Sequence, residues 1–125
     1  MKSVLVIVFL FLTTALIGCS QTNAEPNVMT QLTAYELLTS GADVILLDVR
    51  SSVEFAEEHI PGSVLLPIDQ ISDLALELFD YDTTLLVICR SGNRSRQATD
   101  LLVELGFINV YDIGGIITWP GETVR

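Results

Sequence analysis

Lysine, histidine and cysteine are nearly absent from this chain. Of its 125 residues one is lysine (Lys2), one is histidine (His59) and two are cysteine (Cys19 and Cys89). A single histidine leaves no second imidazole for acid–base work, and neither a metal nor a cofactor is expected. With Lys2 set aside, five arginines face 16 acidic residues, a formal charge of −11. So acidic a surface repels nucleic acid and anionic lipid headgroups, which removes both as expected partners. Internal repeats and low-complexity tracts are also missing, and the length suits one domain.

What is present begins with an export-type leader. Lys2 precedes the uninterrupted apolar run Val4 to Leu12, which is too short to span a bilayer and has the proportions of a secretory signal. Leu16-Ile17-Gly18-Cys19 resembles the bacterial lipobox. That resemblance implies removal of residues 1–18, lipidation of Cys19, and a domain held in the periplasm or otherwise outside the cytoplasmic membrane, with membrane contact through the lipid anchor only. Residues 19–28 then form a tether and residues 29–125 the folded domain. Acylation of Cys19 would leave Cys89 without a disulfide partner in the chain. A lone thiol in an oxidising compartment must be shielded or chemically employed.

The domain alternates helix and strand signals. Thr33 to Glu36 and Ser51 to Glu54 have capping-box spacing, the first opening a helix that ends near Gly41. Val44–Asp48, Val64–Leu66, Leu85–Ile88 and Asn109–Tyr111 read as short strands. Leu74–Phe79 continues a helical stripe with Ile71, and Arg94–Leu105 forms a helix stopped at Gly106. Strands that are apolar throughout, alternating with helices, predict an α/β fold with a parallel central sheet flanked by helices. Ligands of such sheets bind beyond the carboxyl ends of the strands, where Asp48 and Cys89 both fall.

The segment Cys89-Arg90-Ser91-Gly92-Asn93-Arg94-Ser95 joins a strand to a helix. A tight turn there aims successive N–H groups into one concavity, and the helix start adds partial positive charge. Three of the five arginines, Arg90, Arg94 and Arg96, lie within eight residues of Cys89. A sulfur so placed favours the thiolate, which makes Cys89 the candidate nucleophile and Arg90, Ser91, Gly92, Asn93, Arg94 and Ser95 the candidate anion-binding loop. Arg96 points away from Arg94 by helical spacing. Asp48 and Arg50 read as a structural pair with a possible supporting role. His59 reads as a structural turn residue, and Trp119 as packing at the domain's end.

This loop resembles the active-site loop of single-domain rhodaneses, the thiosulfate-type sulfurtransferases. Leu47-Asp48-Val49-Arg50, Glu54-Phe55 and His59-Ile60-Pro61-Gly62-Ser63 resemble the family's amino-terminal signature. Gly114-Gly115-Ile116-Ile117-Thr118-Trp119 resembles its closing one. The resemblance implies a rhodanese-like three-layer domain and a two-step exchange. Cys89 would take sulfane sulfur from a small anionic donor such as thiosulfate and hold it as a persulfide. It would then pass the sulfur to a thiol, or to cyanide in an assay. Backbone N–H groups of Arg90 to Arg94 would hold the persulfide, and the Arg90 and Arg94 side chains would attract the donor. The alternative is a non-enzymatic persulfide carrier or partner-binding module. A phosphatase-type loop places arginine sixth after the cysteine; that place holds Ser95 here, which argues against phosphate chemistry. The chain also ends six residues after Trp119, so a terminal helix common in the family is expected to be short or missing.

Overall fold

The computed structural model describes Gly18 and residues 27–125. Residues 1–17 of the leader, the lipidation expected at Cys19 and nearly all of the tether lie outside the described residues.

Four parallel strands, β1 (Ile45–Asp48), β2 (Val64–Leu65), β3 (Leu85–Cys89) and β4 (Val110–Gly115), form one sheet in the order β2-β1-β3-β4. Helices α1 (Gln31–Thr39), α2 (Ser52–Glu57), α3 (Ile71–Leu78) and α4 (Asn93–Glu104) lie between or before them. The central strand β3 is buried along its whole length. Its side chains divide by the two-residue period of a strand. Leu85, Val87 and Cys89 join the cluster of Ala75, Ala98 and Leu102 from α3 and α4. Leu86 and Ile88 join Ala34 of α1 and Ile113 in the opposite cluster. Both faces of the sheet are therefore dry, as the continuous apolar strands require.

The strand order matters for the site. From β1 the chain moves outward to β2, whereas from β3 it moves the other way to β4. The crevice beyond the ends of β1 and β3 is thus a topological switch point, where ligands of open α/β sheets bind. Asp48 closes β1 and Cys89 closes β3.

Two boundaries differ from the sequence reading. Helix α1 starts at Gln31 and is capped by Thr30, whose Oγ1 accepts from the Thr33 N–H at 3.2 Å. Thr33 is thus the recipient of a cap instead of the cap, because the helix begins as soon as the chain leaves the edge of β4. There Met29 N donates to Asp112 O (3.0 Å) and Asp112 N donates to Asn27 O (2.7 Å). The capping box at Ser51 and Glu54 does form, with both reciprocal bonds present. Strand β4 runs to Gly115, well beyond Tyr111, since pairing with β3 resumes as Cys89 opposite Gly115 after a register irregularity. The chain's last residues form no helix. Val124 instead bridges His59 by paired backbone bonds of 2.8 Å, and Thr123 Oγ1 donates to Glu58 Oε1 at 2.6 Å.

Candidate active site

The site is built where β3 gives way to α4. Gly92 is the residue before the helix and takes φ 104°, a left-handed conformation that folds the loop back over the sulfur. Its N–H donates to Cys89 Sγ at 3.0 Å. Ser95, buried in the first turn of α4, lies with its Oγ 3.5 Å from Sγ and 3.1 Å from Gly92 O. The first N–H groups of α4 lack partners within the helix and face the same concavity.

Cys89 is only 1 % exposed. Burial by itself pushes its pKa up. The Ser95 hydroxyl and the N–H groups of Ser95, Gly92 and Ser91 outweigh that and hold the thiol below its ordinary value. A depressed thiol pKa means more thiolate at a given pH. Ser95→Ala removes the largest of these stabilising contacts, so the pKa should rise. The rate of Cys89 alkylation by iodoacetamide, measured against pH, should then keep its alkaline plateau while its acid limb moves to higher pH. An unmoved limb would show that Ser95 does not tune the sulfur.

The arginines take different tasks. Sequence reasoning gave Arg90 and Arg94 one role, attraction of an anionic donor. In the structure the Arg94 guanidinium is engaged by Glu54 in two bonds, at 2.7 and 2.8 Å. That pair holds the Glu54 carboxyl far below the usual carboxylate range and raises Arg94. Arg94 therefore ties the loop to α2, and its charge is largely answered. The Arg90 side chain is exposed at the loop's mouth, while its carbonyl accepts from Ile117 N at 3.3 Å. Ser91 and Asn93 are exposed beside it, and Arg96 is exposed on α4.

Asp48 and Arg50 form a buried ion pair at 2.7 Å, and Arg50 Nη2 also donates to Glu58 O at 2.6 Å. Asp48 additionally accepts the Arg50 N–H at 3.0 Å. The pair clamps the end of β1 to the end of α2 and supports the crevice wall. His59 stacks on Phe55 at 4.0 Å, with Nδ1 2.7 Å from Phe55 O. Trp119 packs edge-on against Tyr35 at 5.9 Å.

Sequence reasoning passed over two supports. One is Glu54, noted only as part of a cap and a signature. The other is Gly115, where a Cβ would lie 2.2 Å from Arg90 O and 2.6 Å from Ser91 Cα. The loop rests directly on this glycine's backbone. The doublet Gly114-Gly115 at a strand end was the available signal, since paired glycines often mark close backbone approach.

A thiol at the switch point of a parallel sheet, cradled by N–H groups at a helix start, defines a single α/β domain built around one enclosed cysteine. The chain belongs to the family of rhodanese-like domains, whose family model matches residues 30–121. It is 41% identical over 86 residues to a protein of Pseudomonas savastanoi pv. phaseolicola named thiosulfate sulfurtransferase GlpE, covering 65% of this chain and 80% of that one. It is 38% identical over 88 residues to the putative sulfurtransferase YtwF of Bacillus subtilis, covering 70% and 84%. Among solved structures it is similar to the rhodanese-like domain of the Anabaena protein Alr3790, with a TM-score of 0.74 and 25% identity over 78% of each chain.

Proposed function

We propose that this protein is a sulfurtransferase that carries sulfane sulfur on Cys89. The observation that carries the reading is the enclosure of Sγ by the Gly92 N–H and the Ser95 hydroxyl, in front of α4. The likeness to a relative named thiosulfate sulfurtransferase supports it.

The Cys89 thiolate attacks the outer sulfur of thiosulfate. A sulfur–sulfur bond forms to Sγ as the bond to the sulfonate sulfur breaks, and sulfite leaves with that electron pair. The persulfide's terminal sulfur, which bears the negative charge, then occupies the concavity lined by loop N–H groups. Such covalent catalysis splits one difficult transfer into two easier ones. Because Sγ is nearly enclosed, a slender terminal sulfur reaches it more readily than a bulky group does. Arg90 draws the dianion to the mouth, and no general base is needed when the thiolate is already formed.

The test is intact mass of the folded domain before and after thiosulfate. A gain of one sulfur atom, reversed by cyanide, is expected. No gain while Cys89 remains open to alkylation would refute the reading. Loading without repeated turnover would make the protein a persulfide carrier instead of an enzyme.

A further inference from the structure

Beside the loop lies a cleft of about 590 Å³, bounded by Arg90, Ile116 and Ile117 on the side of the closing segment and by Glu57, Glu58 and Arg125 elsewhere. Its volume is in the range of organic small-molecule sites and well above what a small inorganic oxyanion fills. Its charges are mixed. Arg50 and Glu54 also reach it, but Asp48 and Arg94 already answer them. Glu58 accepts from Thr123. Among the described residues no hydrogen bond or ion pair engages the side chains of Glu57, Arg90 or Arg125. Arg125 arrives there because Val124 bridges His59, which folds the closing residues across the end of α2.

A purely anionic organic ligand would meet Glu57 and Glu58, and a purely cationic one would meet Arg90 and Arg125. A ligand with both poles answers both sets. We propose that Glu57 and Arg125 set the preference among thiol acceptors at this cleft, favouring one of amino-acid to short-peptide size that carries an ammonium and a carboxylate. Glu57 is placed for the ammonium and Arg125 for the carboxylate. This rests on the persulfide reading of Cys89.

In the step so served, the acceptor's thiolate attacks the outer sulfur of the Cys89 persulfide. The new sulfur–sulfur bond forms on the acceptor as the bond to Sγ breaks, and the electron pair returns to Sγ as thiolate. The sulfur keeps its oxidation level, so no outside oxidant or reductant is consumed.

The experiment is single-turnover discharge of thiosulfate-loaded protein by cysteine and, separately, by mercaptoethanol. Each rate is taken relative to the unsubstituted protein, so that differing thiol acidities cancel. Both thiols react as thiolates of equal net charge, hence a diffuse field moves them together and only local placement separates them. Glu57→Gln and Arg125→Gln should each slow cysteine about threefold more than mercaptoethanol, the size expected of partly exposed charge pairs. Cysteine tracking mercaptoethanol in either variant overturns the assignment, since the ligand would then not be read at both poles. Failure of thiosulfate to load Cys89 at all would instead sink the persulfide reading, and this inference with it.

Discussion

Replacing Gly115 with alanine should cost about 3 kcal/mol of stability and about a hundredfold in sulfur transfer. The backbone at 115 is extended, so the added methyl brings no torsional penalty of its own. The cost is steric, because the new Cβ would fall 2.2 Å from Arg90 O. Nothing flexible stands in the way: the clashing atoms are backbone, and they belong to the loop that wraps the sulfur. Relief can come only by lifting Arg90 and Ser91 off β4. That motion loosens the carbonyl of Arg90 from Ile117 N and shifts the Gly92 N–H away from Sγ. Misplacement by roughly 1 Å near the reacting atom costs on the order of a hundredfold in rate. Thermal melting and thiosulfate–cyanide turnover measure the two effects. A variant with unchanged turnover would show that the loop does not depend on this contact.

Cys89→Ala should abolish the cyanide-reversible sulfur gain and reduce transfer to the uncatalysed background, because no other described side chain offers a sulfur nucleophile. The fold should survive at a cost of about 1–2 kcal/mol, from the small void in the core and the Gly92 N–H left without its acceptor. For a domain of this size each kcal/mol lowers Tm by about 4–8 °C. Cys89→Ser is the sharper control. It keeps an acceptor for Gly92 and nearly the same volume, so Tm should fall less than with alanine. Its hydroxyl stays protonated at neutral pH, so transfer should be equally absent. Measurable transfer in either variant would place the chemistry elsewhere.

Local physics dominated what the sequence made legible. Leu85 to Cys89 is a continuous apolar strand leading into a glycine-bearing polar turn, and both properties are contiguous in the chain. The capping box at Ser51 is legible for the same reason. Strand β4 was cut short because Asp112 and the Gly114-Gly115 doublet interrupt any apolar pattern. It is held as a strand by β3 on one side and residues 27–29 on the other. The Glu54–Arg94 pair joins residues 40 positions apart, and neither spacing nor composition marks it. Its effect is to reassign Arg94 from donor attraction to loop support. The return of Val124 to His59 is likewise a tertiary contact, and it brings Arg125 to the cleft.

The short pairing of residues 27–29 along β4 also gives the domain a mechanical polarity. Val28 runs parallel to Asp112, so the chain climbs toward the end of the sheet that carries the sulfur and enters from the other end. A pull along the strand axis at Asn27 would load the bonds joining Asn27 and Met29 to Asp112 together in shear. The bond from Asn27 Nδ2 to Val110 O shares that load. Such a load enters at the start of β4, the end of the sheet opposite the loop around Cys89, so backbone pairing takes it up before it reaches the sulfur.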